Sequence, residues 1–290
     1  MTTVGTIATP KELTESQRSA LLTLLADEDP AIHQQVREKI LACGPAAAQW
    51  LKPHSLSNDP VLRRRVQQIL KQIDRQGADN EFVAFCLKNG EDLDLETAAW
   101  QLARTTYPNI NPEAGQALLD DYAGELRERL MPAGGDADQL AVINNYLFEE
   151  LGFTGNEQNY YDPENSYLNR VLDRRTGNPI SLCLVYLLIA RRLRLPVTSI
   201  GLPGHFLCRY QSTAAEYYID AFNRGKLLSK ADCIQYLLRG NYSVRDEYLA
   251  PISPRRMLLR ICANLHQIYQ HNKMADEATR LQRYLVALAR

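Results

Sequence analysis

One run constrains the fold of this chain more than any other: Gly177-Asn178-Pro179 followed by Ile180, Ser181, Leu182, Cys183, Leu184, Val185, Tyr186, Leu187, Leu188, Ile189 and Ala190. Asn178 is a good N-cap. Pro179 suits the first helical position, where its ring presets φ and its missing N–H would have gone unpaired. Arg191, Arg192 and Arg194 then match the negative end of the helix dipole. The helix between these signals is apolar nearly all round, so one amphipathic contact cannot satisfy it and it must sit inside a domain. Its apolar stretch, Ile180 to Ala190, is well short of the ~20 residues that cross a bilayer.

After Leu195-Pro196 the periodicity becomes that of strands. Val197 to Gly201, Phe206 to Tyr210 and Glu216 to Asp220 are short β-type runs separated by Pro-Gly and a polar linker. A buried helix followed by a small antiparallel sheet predicts an α+β core. Before the helix, Asn156 to Arg175 is polar and tyrosine-rich (Tyr160, Tyr161, Tyr167), which predicts a loop and a short helix. Four helices are expected further upstream: around Glu81 to Lys88, Leu95 to Thr105, Pro112 to Leu130, and Asp138 to Leu151. Asn89-Gly90, Tyr107-Pro108 and Gly134-Gly135 bound them. The polar run Arg75 to Asn80 reads as a break ahead of them.

The first segment repeats itself. Asp29-Pro30 precedes Ile32, Val36 and Ile40, and Asp59-Pro60 precedes Leu62, Val66 and Leu70; each set keeps i, i+4, i+8 spacing. This pattern suggests a small HEAT-like helical array, with an ordinary helical bundle as the alternative. Met257 to Arg290 reads as two amphipathic helices broken near Asn272, either one tetratricopeptide-like unit or a lone hairpin. The expected division is 1–78 for the array, 79–155 for a helical subdomain, 156–250 for the α+β core and 251–290 for the hairpin.

The 290 residues carry a net charge of -1, which gives no global field for nucleic acid or an anionic membrane, and neither is expected as a partner. Arg63, Arg64 and Arg65 read as a solvated helix face. The N-terminus shows no charged-then-apolar secretory pattern, so a cytoplasmic protein is expected. Six cysteines (Cys43, Cys86, Cys183, Cys208, Cys233, Cys262) are scattered singly without histidines at ligand spacing. Neither a metal site nor any cofactor is expected.

From Leu95 the chain reads LETAAWQLARTTYP, LFEELGFTGN, NYYDPENSYLNRVLDRRTGNPISL, RRLRLPVTSIGLPGHFLCRY and YYIDAFNRGKLLS in order. This series resembles the SirB-type family of the transglutaminase-like superfamily over roughly Leu93 to Arg290; the N-terminal array lies outside it. The resemblance implies a papain-like, transglutaminase-like core followed by tetratricopeptide-like helices. In that superfamily a nucleophilic cysteine opens the central helix, a histidine lies on the following sheet and an aspartate on the next strand. A thiolate is favoured at a helix N-terminus, and an adjacent imidazole takes its proton. His205 and Asp220 occupy the histidine and aspartate positions. The cysteine position falls on Pro179.

Two neighbours compete for the missing role. Ser181 lies about 200° around the helix from Pro179 and reads as a first-turn hydrogen-bonding residue. Cys183 returns to within about 40° of the Pro179 face, one turn deeper, and reads either as a packing residue or as a displaced nucleophile. Cys208 should face away from His205. Three functions follow. The first is a non-catalytic or degenerate module that binds or regulates a protein partner. The second is a cysteine hydrolase or acyltransferase acting on an amide or ester through Cys183, His205 and Asp220. The third is a peptide or small-molecule cleft built on the old site and lined by Asn178, Pro179, Ser181, Tyr160, Tyr161, Asn165 and Ser166.

Overall fold

A computed structural model describes residues 13–290, which form two compact units, one ending at Asn80 and one running from Glu81 to Arg290. The first contains α1 (Glu15–Leu25), α2 (Pro30–Ala42), α3 (Pro45–Leu51) and the opening turns of α4 (Pro60–Lys88). Both Asp-Pro signals work as caps. Asp29 Oδ1 accepts the Ala31 N–H at 2.8 Å, and Asp59 Oδ1 accepts the Val61 N–H at 2.8 Å. Leu25, Val36, Ile40, Leu51, Val66 and Ile69 are the buried stripe these helices share.

The polar break expected at Arg75 to Asn80 is helical: α4 passes through it without interruption. A glycine inside a helix costs about 1 kcal/mol relative to alanine. Here Ile73, Ala78, Phe82 and Cys86 carry a buried stripe past Gly77, and that burial outweighs the cost.

In the second unit, α5 (Leu95–Arg104), α6 (Pro112–Leu130) and α7 (Asp136–Asn144) lead to a π-helical turn over Asn145–Glu150. The helix expected to run on to Leu151 thus widens at its end, which puts Tyr146, Leu147 and Phe148 all in the interior. The short strand β1 (Thr154–Gly155) pairs in parallel with β2 (Thr176–Gly177), with α8 (Leu168–Arg174) between them.

The apolar helix is α9 (Pro179–Arg192), and from Pro179 to Ala190 only Leu187 escapes full burial. It packs against α6, α8, α11 (Pro254–His271) and the strands β3 (Val197–Ile200) and β4 (Leu207–Gln211). Its terminal arginines do more than answer the dipole. Arg192 binds the buried Glu96 at 2.8 Å and Asp120 at 2.6 Å, while Arg191 reaches Asp94 at 2.8 Å, which fixes the helix end to α5 and α6.

The sheet is an antiparallel meander in the order β3-β4-β5-β6, with β5 at Glu216–Asp220 and β6 at Lys226–Leu228. Cys208 stands opposite Ser199 on one side and Ile219 on the other. The three-residue β6 and the helix α10 (Lys230–Arg239) were not apparent from periodicity; both lie beside β5. α11 and α12 (Ala275–Leu288) form the closing hairpin. One apolar cluster joins Leu126, Phe153, Tyr186, Ile219 and Leu265, so all three segments expected after residue 78 contribute to the same core. Among the described residues, no helix is long and apolar enough to cross a membrane.

Candidate functional site

The site begins at the N-terminus of α9. Asn178 and Ser181 cap each other: Asn178 Oδ1 accepts the Ser181 N–H at 3.0 Å, and Ser181 Oγ accepts the Asn178 N–H at 3.0 Å. Ser181 Oγ also donates to the Asn165 carbonyl at 2.6 Å, and Asn178 Nδ2 donates to Ser166 Oγ at 2.9 Å. Asn165 in turn donates to the Asn159 carbonyl at 2.9 Å and accepts from Asn156 at 2.9 Å. All four of Asn165, Ser166, Asn178 and Ser181 are buried. They knit the loop after β1 onto the helix start by bonding one another and the loop backbone.

His205 is delivered by a turn in which Gly204 takes φ +73°, a conformation that side chains other than glycine rarely adopt. Its Nε2 lies 2.9 Å from Oδ2 of Asp220, the last residue of β5. Asn223 completes the carboxylate: its N–H donates to Oδ1 at 3.1 Å and its Nδ2 to Oδ2 at 2.8 Å. Burial pushes the Asp220 carboxyl upward, but the bonds from His205 and Asn223 outweigh it and hold the group below the usual carboxylate range.

His205 and Asp220 open onto a cavity of about 320 Å³ whose wall also includes Tyr160, Pro179, Phe222 and Tyr236. Pro179 and the imidazole therefore share one cleft, and of the seven cleft candidates read from sequence only Pro179 and Tyr160 line it. Tyr161 stacks on His271 with ring centres 4.0 Å apart. Tyr167 is buried and bonds the Tyr269 hydroxyl at 2.7 Å.

Cys183 is fully buried one turn below Pro179, and its Sγ approaches the Phe206 carbonyl at 3.5 Å. Cys208 Sγ approaches the Cys183 carbonyl at 3.6 Å, so both thiols lie between α9 and β4. Burial, and next the neighbouring Cys208, push the Cys183 thiol far above its ordinary range. Cys183 does not line the His205 cavity. Cys233 does, but burial pushes its thiol up to about 12.

Sequence reading missed Asn223, Phe222, Tyr236, Cys233 and Arg260 as parts of this site. Asn223 had a local signal, since a carboxylate three residues before an asparagine at a strand end suits a turn. Arg260 had none. It comes from α11, and its Nη2 donates to the carbonyls of Leu202 at 2.9 Å and His205 at 3.3 Å, holding the turn that carries the imidazole. Among the described residues, no cluster of histidine, cysteine, aspartate and glutamate is placed to hold a metal ion.

A buried helix whose N-terminus faces an imidazole, with the carboxylate on the next strand of an antiparallel meander, defines a transglutaminase-like core. Residues 113–263 match the family model described as the transglutaminase-like superfamily, and the chain belongs to that superfamily, in its SirB-type branch. It is similar to a UPF0162 protein of Xylella fastidiosa strain Temecula1, with 37% identity over 66% of this chain and 70% of that protein. A UPF0162 protein of Pseudomonas aeruginosa is 29% identical over 63% of this chain and 67% of its own length. F-box only protein 21 of Mus musculus is 39% identical over 55% of this chain but only 25% of its own length. No solved structure matches the chain.

Proposed function

We propose that this protein is a transglutaminase-like module without cysteine chemistry, whose His205–Asp220 cleft binds a ligand or protein segment instead of cleaving one. The observation that carries this reading is the position of Pro179. It lines the cleft with His205 and Asp220, at the helix start where a nucleophile would have to stand, and it has no group to deprotonate. Cys183 is turned toward the Phe206 carbonyl in the core, and a thiol held so far above its ordinary pKa supplies almost no thiolate at neutral pH. Ser181 spends its hydroxyl on Asn165 and Asn178. The imidazole and carboxylate keep their mutual geometry, which suits recognition as well as it once suited proton transfer. Helical segments before and after the core in sequence supply further surface for a protein partner.

Thiol labelling under native conditions tests the reading. Cys43, the least buried thiol, is expected to label first, with Cys183 no faster and unaffected by His205→Ala. Rapid labelling of Cys183 that this variant slows would restore the hydrolase reading.

A further inference from the structure

The closing hairpin carries a charge bias that the whole chain conceals. Residues 254–290 hold seven Lys or Arg against two Asp or Glu, within a chain whose net charge is -1. The two carboxylates, Asp276 and Glu277, stand in the first turn of α12, and α11 has none. One side of the hairpin is spent on the core, where Leu265, Ala278, Leu281 and Tyr284 are buried. On the other side Thr279, Arg283, Val286 and Arg290 recur at helical spacing, and all four are exposed.

That exposed side is concave. A cavity of about 710 Å³ lies along α11 and α12, with Tyr269, Met274, Ala275 and Ala278 in its wall beside Lys273 and Arg283. A second cavity of about 300 Å³ follows, lined by Val83 and Leu87 of α4 and by Val286 and Ala287 of α12. Gln282 and Arg283 belong to both, so the two make one groove along α12, whose 14 residues extend for about 21 Å. Leu87, Met274 and Val286 are 52, 38 and 49% exposed in this groove. Single apolar side chains in water are ordinary, but three in one concave surface mark a contact site. No Asp or Glu lines either cavity, and among the described residues no carboxylate pairs with Lys273 or Arg283. An apolar groove bordered by unpaired cations fits a helix whose apolar stripe is flanked by carboxylates, and disfavours a basic one.

We propose that the groove of α11 and α12, continued by the end of α4, docks an acidic amphipathic helix of a protein partner. The apolar stripe of that helix lies on Met274, Ala278 and Val286, and its carboxylates meet Lys273 and Arg283. Solvated ion pairs add little affinity, so burial of the stripe supplies the binding and the cations select the sign of the partner. The groove shares no lining residue with the His205 cavity, so this inference stands whatever that cavity binds.

The test uses the full chain and a pair of staple-stabilised, fluorescein-labelled helical peptides of about four turns. Both carry the same leucine stripe; glutamate flanks it in one and lysine in the other. Fluorescence anisotropy should show the glutamate peptide binding roughly tenfold tighter at low salt, with the gap narrowing as ionic strength rises. Replacing Lys273→Glu and Arg283→Glu together is expected to reverse the preference, and Val286→Asp to weaken the glutamate peptide at least as much. All three positions are exposed, so these chains should keep the native denaturant midpoint. If a variant does not fold, the peptide pair and its salt dependence on the native chain decide alone. Equal affinity for the two peptides, a preference that survives the double charge reversal, or binding of neither overturns the proposal. Sedimentation showing a dimer that Val286→Asp abolishes gives the groove to a second copy of this chain and overturns it as well.

Discussion

His205 and Asp220 are joined by a 2.9 Å hydrogen bond, and Asn223 bonds the same carboxylate twice from the following turn. The network lowers the Asp220 pKa against the opposing pull of burial. Because the folded value is depressed, the stabilisation is fully present above the unfolded carboxylate value of about 3.9 and is lost as pH falls below it toward the folded value. Denaturant unfolding of the native and Asp220→Asn chains between about pH 3 and pH 6 should show the native chain more stable at the upper end, with the difference shrinking on the acid side. A difference that does not vary with pH would mean the carboxylate charge is not part of the network.

Pro179→Cys should put a thiol where the cleft lacks one. The new side chain would stand at the first position of α9, on the wall shared with His205, where the helix dipole and an imidazole both favour thiolate. Loss of the proline ring should cost about 0.4–1 kcal/mol through the unfolded chain. Iodoacetamide is expected to modify position 179 faster than any native cysteine, and His205→Ala should remove the advantage. Labelling at the rate of Cys43 in the same chain would show that the imidazole does not face this wall.

Ser181→Ala removes a buried hydroxyl that donates to Asn165 and accepts from the Asn178 N–H. The Asn178 N–H keeps its bond to the Asn165 carbonyl at 3.2 Å, so the loss should be that of the hydroxyl's own bonds, about 0.5–1.5 kcal/mol, seen as a fall of a few degrees in Tm. A variant as stable as the parent would show that the network does not hold the loop to the helix.

Arg255 is buried, and its guanidinium donates to the carbonyls of Cys86, Asn89, Ala287 and Leu288 at 2.7–3.0 Å. It thereby closes the C-terminal ends of α4 and α12. Arg255→Met should cost roughly 3 kcal/mol or more, since several carbonyls lose their donor at once. Arg256→Met, at the exposed neighbouring position, should change stability by no more than about 0.5 kcal/mol.

Local chemistry made much of the fold legible. Asn178-Pro179 announces the start of α9, its uniform apolarity announces burial, and Asp29-Pro30 and Asp59-Pro60 announce two more helix starts, because capping and periodicity act over a few residues. The same locality misled at Gly77. A polar run looks like a break until Ile73 before it and Phe82 after it are each seen buried in the core of its own unit, and that is a property of what packs against them.

At the site, the resemblance to the SirB-type family implied His205 and Asp220 as partners and Pro179 as the residue in the nucleophile position. The three-dimensional arrangement decided what surrounds them. It put Pro179 on the cavity wall, turned Cys183 to the Phe206 carbonyl, and spent Asn165, Ser166, Asn178 and Ser181 on one another. It also brought Arg260 from α11 to the backbone of the His205 turn, 55 residues away in the chain. The sequence by itself determined which groups are present and which helix must be buried, because those depend on side-chain chemistry and short-range spacing. Where each group points and what it touches depends on long-range packing of α9, the sheet and α11, and only the tertiary structure decides that.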